Sequence, residues 1–293
     1  MKELIQKAET LVEALPYIRE FYDKTIVVKY GGSIGGKELH NFARDIVLMK
    51  YVGMHPVVIH GGGPQIGSLL GRLGIESKFV AGLRVTDSET MEIVEMVLVG
   101  KVNQEIISAI NSLGGKAVGA SGKEGKIIAA RKIDVSKLAH DNGLDIPEDT
   151  DLGMVGEVEK VNPHLIKVLE QSGFIPVIAP IGFDEDGKSY NINADHVAGK
   201  IAGALQAEKL VILTDVPGIL DQEKNLISSL DERSARELIR KGVISRGMIP
   251  KVMCAIEAIH EGVNKVHIID GRVEHALILE IFTDAGVGTE ILL

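Results

Sequence analysis

The chain has 293 residues but only one cysteine, no tryptophan and 4% aromatic residues, and each shortage excludes a class of protein. Cys254, the single cysteine, can form no internal disulfide and cannot build a zinc site that needs several thiolates. Cations are also scarce, with 32 Lys and Arg against 41 Asp and Glu and a net charge of −9. Because nucleic-acid binders neutralise phosphates with clustered cations, this balance argues against a nucleic-acid partner.

Long apolar segments are missing as well. No run approaches the roughly 18 apolar residues that cross a bilayer, and Glu3, Glu9 and Glu13 interrupt any apolar core of a signal peptide. The nine histidines include no H-E-x-x-H or similar spacing, so no metal site is predicted. We therefore expect a soluble, cytoplasmic protein without a membrane partner. Its length is typical of one large α/β unit or of two lobes.

The first 22 residues have the periodicity of an amphipathic helix. Apolar side chains recur every three or four residues, at Leu4, Ala8, Leu11, Leu15, Ile18 and Tyr22. Because Pro16 interrupts this pattern, we predict a kinked helix or two short helices. Such a segment either packs on its own domain or reaches a neighbouring subunit.

Short apolar runs alternate with glycine turns and helical patterns over the remaining chain. The runs that predict strands are Thr25–Lys29, Pro56–His60, Ile175–Ala179 and Leu210–Thr214, and those that predict helices are residues 39–51 and 88–112. Strands that are apolar on both faces require helices on both sides, which predicts a doubly wound α/β fold. A new strand–turn–helix unit after residue 205 indicates a lobe boundary there.

Two glycine-rich loops follow the first two predicted strands, where helix N-termini offer free N–H groups to anions. The loop Gly61–Gly63 lacks the third glycine of a dinucleotide fingerprint, since Ile66 stands in its place. The loop Gly31–Lys37 fits the spacing of a phosphate-binding P-loop, but Glu38 replaces the hydroxyl residue that should ligate Mg²⁺. Neither loop alone establishes a nucleotide site.

Several short motifs taken together are far more specific than either loop. In chain order they are Lys29–Ser33, His60–Gly63, Gly82–Asp87, Asn191–Asp195, Thr214–Gly218 and Gly247–Lys251. This set resembles the amino acid kinase family over nearly the whole chain, from about Thr25 to Thr289. The resemblance implies an α/β fold that is an open αβα sandwich with a mainly parallel central sheet. It also implies a substrate-binding lobe over 23–205, a nucleotide-binding lobe over 206–293 and a helical segment over 1–22 for oligomerisation or regulation.

The activity implied by the resemblance is transfer of the γ-phosphoryl group of ATP to the side-chain carboxylate of N-acetyl-L-glutamate, a step of arginine biosynthesis. Mg²⁺ is expected on the ATP phosphates. A carboxylate nucleophile is already ionised at pH 7, so no general base is needed. The alternatives are a related kinase that acts on an aminoadipate derivative or on free glutamate, and a non-catalytic arginine sensor. A sensor could lose Lys29, Asp195 or Lys251, yet all three are present.

The resemblance also assigns roles to residues of these motifs. It makes Lys29 and Lys251 the cations that bracket the transferring phosphoryl group, Asp195 the carboxylate that orients them, and Gly32 and Gly62 the donors of backbone N–H groups to the phosphoryl oxygens. Substrate binding falls to Gly62, Gly63, Arg84 and Asn191, and nucleotide binding to Thr214, Asp215 and Gly218.

Plainer interpretations stay open for the charged residues of this set. Without the motifs, Lys29 would be a solvated lysine at a strand end and Lys251 a surface lysine at a helix start. Asp195 could instead, or in addition, cap the helix that begins near Ala194.

Three other side chains invite a functional interpretation less strongly. Arg84 could form a surface ion pair with Asp87 or Glu89. His60 is expected to end a strand and to have no proton-transfer task. Cys254, in an apolar helical stretch, is expected to be a buried structural thiol.

The C-terminal run, residues 275–289, resembles the ending of arginine-inhibited members of the family. This resemblance implies an arginine site between the N-terminal helix and the C-terminal lobe, with Glu280 and His275 as effector-binding residues, in a hexameric ring built from dimers. The alternative is that Glu280 is a solvated helix carboxylate. The helix over 88–112 is apolar on two faces, which independently favours at least a homodimer.

Overall fold

The computed structural model describes residues 1–31, 36–142, 146–147, 150–245, 247–283 and 286–293. Its strands are β1 (Thr25–Tyr30), β2 (His55–His60), β3 (Phe79–Val80), β4 (Leu83–Arg84), β5 (Ala117–Ala120), β6 (Ile128–Lys132), β7 (Val155–Val161), β8 (Ile175–Ile178), β9 (Ile181–Phe183), β10 (Ser189–Ile192), β11 (Lys209–Thr214), β12 (Ser229–Asp231), β13 (Lys265–Asp270) and β14 (Gly288–Leu292). Its helices are α1 (Lys2–Glu13), α2 (Leu15–Phe21), α3 (Lys37–Tyr51), α4 (Gly63–Arg72), α5 (Ser88–Glu95), α6 (Asn103–Ser112), α7 (Val135–Asn142), α8 (His164–Gln171), α9 (Ala194–Leu205), α10 (Glu232–Arg240), α11 (Met248–His260) and α12 (Ala276–Phe282). A π-helix, Met96–Val102, joins α5 to α6, and a short 3₁₀ helix spans Glu124–Lys126.

Over the described residues the central sheet has eight strands in the order β12-β14-β13-β11-β1-β2-β8-β5. Strand β1 lies inside the sheet and pairs in parallel with β11 on one side and with β2 on the other. Antiparallel pairing in this described sheet is confined to β13 and β14. The sheet is therefore mainly parallel, and the prediction from continuous apolar runs is confirmed. Such runs are typical of parallel strands, because helices bury both of their faces.

Two hydrophobic cores cover the two faces of the sheet. Successive side chains of a strand point to opposite faces, so Val27 packs into one core with α9 and α11, whereas Val28 packs into the other with α3 and α6. This arrangement is the expected αβα sandwich. The predicted lobe boundary falls between α9 and β11, but β11 pairs with β1, so the sheet runs across it. The division into two functional lobes stays a prediction.

Smaller elements next to the sheet carry several of the predicted site residues. Strands β10, β7, β6 and β9 close into a small barrel, and β3 and β4 form a hairpin. The barrel leads directly into α9, because β10 ends at Ile192 and α9 begins at Ala194. Arg84 lies on the hairpin and Asn191 on the barrel, so both depend on these elements for their positions.

The carboxyl ends of β1 and β11 form a topological switch point. From β1 the chain continues to β2 on one side, whereas β11 lies on the other side of β1. In open α/β sheets, ligands bind in the crevice at such a point. Lys29 is next to the last residue of β1, and Thr214 is the last residue of β11. The fold therefore places two predicted site residues at this crevice.

The N-terminal segment forms two helices, as the sequence predicts, and they meet at Ala14. Pro16 lies in the first turn of α2, where its missing N–H costs no hydrogen bond. Helix α1 leaves apolar side chains in solvent, with Leu4 63% and Leu11 75% exposed, whereas Phe21 at the end of α2 is buried. The segment thus packs on its own chain through α2 and presents an apolar face through α1.

The helix predicted over 88–112 is present, but the π-helix divides it. Asp87 caps its start, accepting a hydrogen bond of 2.8 Å from the backbone N–H of Thr90. A π-helix is rare and commonly marks a functional site. None of the helices described here combines the length and apolar character needed to span a membrane.

Candidate active site

Three charged side chains meet at the carboxyl end of β1. Asp195, in the first turn of α9, has its Oδ1 2.9 Å from Nζ of Lys29 and its Oδ2 2.6 Å from Nζ of Lys251 on α11. Lys29 and Asp195 are only 7% and 5% exposed, so water screens this contact weakly. The fold therefore brings together three of the predicted catalytic residues, which lie far apart in the sequence.

Burial acts against the charges of Lys29 and Asp195. It would raise the pKa of Asp195, but Lys29 and Lys251 outweigh it and lower that pKa to about 2. Burial also lowers the pKa of Lys29, an effect that Asp195 opposes and Lys251 reinforces. With Asp195 ionised between two lysines, the cluster has one more cation than it has anions. Such an arrangement favours an anionic ligand.

The first turn of α9 is fixed by groups other than the Asp195 carboxylate. The side-chain oxygen of Asn193 accepts hydrogen bonds from the backbone N–H of Asp195 at 2.8 Å and of His196 at 3.4 Å. The interpretation of Asp195 as the helix cap is therefore wrong, and its carboxylate is left for the lysines. Cys254 donates from Sγ to the Asp195 carbonyl at 2.7 Å and is buried, as expected of a structural thiol.

The loop after β2 is the second part of the site. Strand β2 ends at His60, and α4 begins at Gly63 with the free N–H groups of a helix start. A Cβ at Gly62 would lie 2.5 Å from Leu98 of the π-helix, so the close packing there requires glycine. Burial lowers the pKa of His60 to about 4, which keeps the ring neutral at pH 7.

Arg84 lies beside this loop. Its Nη2 donates to the Gly63 carbonyl at 3.0 Å, its Nη1 donates to Oγ of Ser77, and its Cζ lies 4.6 Å from the centre of the Phe79 ring. The surface ion pair considered from the sequence is wrong, because Arg84 is buried and Asp87 caps α5. A guanidinium held next to a helix start can grip a carboxylate through two parallel hydrogen bonds.

Asn191 joins Arg84 through Thr86. Nδ2 of Asn191 donates to Oγ1 of Thr86 at 3.2 Å, and Oγ1 of Thr86 donates to the Arg84 carbonyl at 2.7 Å. Sequence reasoning had Thr86 inside the motif Gly82–Asp87 but did not single it out. Three of the four predicted substrate residues, Gly63, Arg84 and Asn191, thus belong to one chain of hydrogen-bonded groups.

The predicted nucleotide residues lie at and after the end of β11. The hydroxyl of Thr214 lies 3.4 Å from Oδ1 of Asp215. Gly218 has φ of 143°, and a Cβ there would lie 2.7 Å from Leu226 and 2.8 Å from Oγ1 of Thr289. This position therefore requires glycine for its backbone conformation and its packing.

Sequence reasoning missed one charged pair at this end of the sheet, and one of its predictions cannot be placed. Asp270, the last residue of β13, holds the guanidinium of Arg272 through two hydrogen bonds of 2.9 and 2.7 Å, and neither residue belongs to a motif named above. Gly32, predicted to donate an N–H, lies outside the described residues. Within the described chain, no group of three or more His, Cys, Asp or Glu side chains is placed to hold a metal.

The two residues assigned to arginine have different partners. Oε1 of Glu280 lies 3.2 Å from Nζ of Lys209 and 3.0 Å from Nε2 of His267, and all three side chains are buried. The interpretation of Glu280 as a solvated carboxylate is therefore wrong. His275, just before α12, has its Nδ1 2.6 Å from Oδ1 of Asp45 on α3. The structure thus gives Glu280 two partners that sequence reasoning missed, since a single polar residue within an apolar strand carries no motif.

The Glu280 cluster also contacts the N-terminal segment. Nζ of Lys209 lies 5.4 Å from the centre of the Phe21 ring, at the end of α2. The backbone N–H of Val287 donates to Oε2 of Glu280 at 3.3 Å. The buried charges therefore lie between α2 and the C-terminal part of the chain, in the region where the sequence predicts an effector site.

The family model that matches this chain and two of its relatives are kinases by name. The model of the amino acid kinase family matches residues 24–270. The acetylglutamate kinase of Syntrophobacter fumaroxidans is 60% identical over 99% of this chain and 97% of its own length, and that of Aquifex aeolicus is 55% identical over 100% of both.

Among solved structures, a more distant relative is a synthase that was solved with N-acetyl-glutamate and with L-arginine. The N-acetylglutamate synthase of Neisseria gonorrhoeae, complexed with coenzyme A and N-acetyl-glutamate, has a TM-score of 0.85 and 27% identity over 98% of this chain. Its complex with coenzyme A and L-arginine has a TM-score of 0.80 and 26% identity over 97% of this chain. The chain spans less than two thirds of the synthase, 63% and 65% in the two comparisons.

Proposed function

The chain belongs to the amino acid kinase family, and from that premise we propose that it transfers the γ-phosphoryl group of ATP to the side-chain carboxylate of N-acetyl-L-glutamate. The products are ADP and N-acetyl-L-glutamyl 5-phosphate, an acyl phosphate of arginine biosynthesis. Relatives named acetylglutamate kinase support this substrate, because they match the chain almost end to end at 55% identity or more. The single observation that carries the reaction is Asp195 held between Lys29 and Lys251.

The barrier to this reaction is largely electrostatic, since an anionic carboxylate must approach an anionic phosphate. Lys29 and Lys251 supply two positive charges at the crevice, and Asp195 keeps both ammonium groups in place before the substrates arrive. In our proposal the lysines bind oxygens of the transferring phosphoryl group. Removing one such preorganised donor raises the activation barrier of other enzymes by about 3 kcal/mol. We therefore expect the two lysines to lower the barrier by far more than a surface contact would.

No proton has to move in this chemistry. The side-chain carboxyl of a glutamate derivative, with a pKa of about 4, is ionised at pH 7 and attacks directly. His60, next to the glycine loop, is buried and neutral and fits a site without a general base. We assign to the backbone N–H of Gly62, and to that of Gly32, the role of donors to the phosphoryl oxygens.

The proposed substrate site consists of the hydrogen-bonded chain that contains Gly63, Arg84 and Asn191. Arg84 binds the α-carboxylate of the substrate by turning N–H donors from its present protein partners to the two carboxylate oxygens. Asn191 binds the same substrate through its amide, which both donates and accepts. An aminoadipate derivative or free glutamate would present the same carboxylates, so these substrates remain alternatives for the experiment to separate.

For the nucleotide we propose Thr214, Asp215 and Gly218, which lie at the β11 side of the switch point. ATP binds in the crevice of this fold class at the carboxyl ends of strands, and β11 ends next to β1, which carries Lys29. Mg²⁺ on the ATP phosphates neutralises part of their charge when the nucleotide is bound.

We further propose that L-arginine inhibits the enzyme by binding at Glu280, in a homohexamer built from dimers. The synthase that is solved with L-arginine supports an arginine site in a chain of this fold. Glu280 lies in a buried cluster with Lys209, next to Phe21 of α2, so an effector there can act on the N-terminal segment. The apolar face of α1 favours contact with another subunit. His275 is retained as a second effector residue, although it pairs with Asp45 in this structure.

The test of the reaction is ATP-dependent formation of an acyl phosphate, trapped as the hydroxamate. N-acetyl-L-glutamate, N-acetylaminoadipate and free glutamate are compared side by side, each with and without arginine. Selective activity on N-acetyl-L-glutamate is expected. Activity on another of the acids would keep the mechanism and overturn the substrate. ATP binding without any hydroxamate would favour the non-catalytic sensor.

A further inference from the structure

His60 and Asn103 form a buried polar pair beneath the glycine loop, with exposures of 0% and 1%. Nδ2 of Asn103 lies 2.9 Å from the Val177 carbonyl oxygen on β8 and 3.1 Å from Nε2 of His60. Nδ1 of His60 lies 3.0 Å from the Gly61 carbonyl oxygen. A buried polar side chain is costly unless it is hydrogen-bonded, so these contacts decide where each hydrogen lies.

The contacts admit one tautomer of His60. Because a carbonyl only accepts, the amide nitrogen of Asn103 must face Val177, and its second hydrogen points at Nε2 of His60. Nε2 therefore accepts, and Nδ1 carries the ring proton and donates it to Gly61. Burial holds the pKa of His60 at about 4, so the ring stays neutral at pH 7 and keeps this pattern.

The π-helix that leads into Asn103 packs against the same loop. Asn103 is the first residue of α6 and follows the π-helix directly. The extra residue in a π-helical turn changes the direction of the side chains that follow it. Leu98 of the π-helix packs on Gly62 so closely that a Cβ there would lie 2.5 Å from it. On β5, any side chain at Gly119 would collide with the Asn103 amide. Close packing therefore fixes the positions of the Asn103 amide and of the loop Gly61–Gly63.

We propose that Asn103 is a positioning residue of the phosphoryl-transfer site, which acts through His60 on the peptide unit between Gly61 and Gly62. The carbonyl of Gly61 and the N–H of Gly62 belong to the same planar trans peptide, so they point in opposite directions. Holding the carbonyl towards His60 therefore fixes the direction of the N–H. This inference rests on the proposed function, which takes the Gly62 N–H as a donor to the transferring phosphoryl group.

The first test replaces Asn103 by a side chain of the same shape that cannot donate both hydrogen bonds. Asn103→Asp loses at least one of the bonds to Val177 and His60, because an ionised carboxylate donates neither and a protonated carboxyl donates only one. We expect kcat to fall by about 10- to 100-fold, as for other groups displaced by an ångström or less. KM for ATP should change much less, because the proposed nucleotide residues follow β11. Because a loss of folded protein would also lower the apparent kcat at unchanged KM, kcat is calculated per folded molecule, with the folded fraction measured by circular dichroism.

The matched control is Asn111→Asp on the same helix. Oδ1 of Asn111 accepts a hydrogen bond of 2.7 Å from the backbone N–H of Ala117, which an aspartate can also accept. Its kcat should equal that of the wild type. Equal kcat values for Asn103→Asp and Asn111→Asp would overturn the proposal.

A second pair of variants separates the two bonds of His60. His60→Asn keeps a donor where Nδ1 stood, next to Gly61, whereas His60→Gln keeps an acceptor where Nε2 stood, next to Asn103. We expect His60→Asn to retain more of the wild-type kcat, because the bond to Gly61 is the one that touches the loop. A higher kcat for His60→Gln would contradict the proposed direction of action.

The ring nitrogens of His60 in ¹⁵N-labelled wild-type protein give a readout that does not depend on activity. The proposal requires a protonated Nδ1 and an unprotonated Nε2 at pH 7, and the opposite tautomer would overturn it. If the wild type forms no acyl phosphate, the proposed function fails, while the tautomer is still tested by these spectra.

Discussion

Lys29, near the end of β1, forms a buried ion pair with Asp195, in the first turn of α9, with 2.9 Å between Nζ and Oδ1. Asn193 caps α9, which frees the second oxygen of Asp195 for Lys251. A single carboxylate thus holds two ammonium groups at the switch point of the sheet.

Replacing Asp195 by asparagine should lower kcat by about 100-fold or more. The side chain keeps its shape but loses its charge. Asp195 then no longer opposes the lowering of the Lys29 pKa by burial, and the two lysines lose their common partner. Steady-state kinetics by the hydroxamate assay measures the effect. Asp221→Asn, in an exposed loop, is the control and should behave as the wild type. A kcat for Asp195→Asn equal to that of Asp221→Asn would show that the ion pair has no catalytic role.

Two glycine-to-alanine substitutions should separate substrate binding from packing. A Cβ at Gly63 meets no atom within 4 Å, so Gly63→Ala should change the free energy of unfolding by less than about 0.5 kcal/mol while raising KM for N-acetyl-L-glutamate. Gly218→Ala should cost about 1–3 kcal/mol, because φ is 143° and Leu226 lies 2.7 Å from the new Cβ. Urea unfolding and kinetics on both proteins check this. An unstable Gly63→Ala, or one with unchanged KM, would argue against Gly63 as a substrate contact.

Arginine should raise the concentration of N-acetyl-L-glutamate needed for half-maximal rate, and Glu280→Gln should weaken that effect. The loss of a charge-assisted hydrogen bond should shift the half-inhibitory arginine concentration by about 10- to 100-fold. Rates over a series of arginine concentrations measure it, with Glu237→Gln on the exposed face of α10 as the control. Inhibition that is identical in both variants would remove Glu280 from the effector site.

Acid should destabilise the wild type through His60. Its pKa is about 4 in the folded chain, against an ordinary value of 6.5, because burial penalises the charged ring. Below pH 6.5 His60 therefore binds a proton in the unfolded chain but not in the folded chain. The free energy of unfolding falls as pH drops towards 4. Between pH 7 and 5 this loss amounts to about 2 kcal/mol.

The comparison that isolates this term is wild type against His60→Asn, which has no titrating ring at this position. The difference between their free energies of urea unfolding should shrink by about 2 kcal/mol from pH 7 to pH 5. A difference that is the same at both pH values would show that His60 is not held neutral by burial.

Much of the fold could be predicted because its signals are local. The continuous apolar runs at β1, β2, β8 and β11 gave a buried, mainly parallel sheet, and Pro16 predicted the division between α1 and α2. The π-helix could not be predicted in this way. Val94, Leu98 and Val102 have the spacing of an ordinary helix, and only the folded backbone shows the wider turn.

The candidate site was predictable mainly through the set of motifs. Periodicity alone could not predict the contact between Lys29 and Asp195. That contact depends on the position of α9, which follows directly after the small barrel. The partners of Glu280 were missed for a related reason. Lys209 and His267 lie within apolar strands, and only the folded sheet brings their side chains to α12.

The most direct test of the central claim follows an oxygen atom. N-acetyl-L-glutamate labelled with ¹⁸O in its side-chain carboxylate is incubated with ATP and enzyme, and the acyl phosphate is cleaved at its acyl carbon by hydroxylamine. If the carboxylate attacks the γ-phosphorus, the released inorganic phosphate carries one ¹⁸O from the substrate. Phosphate that contains no substrate oxygen would mean that water attacks ATP instead, and would contradict phosphoryl transfer to the carboxylate.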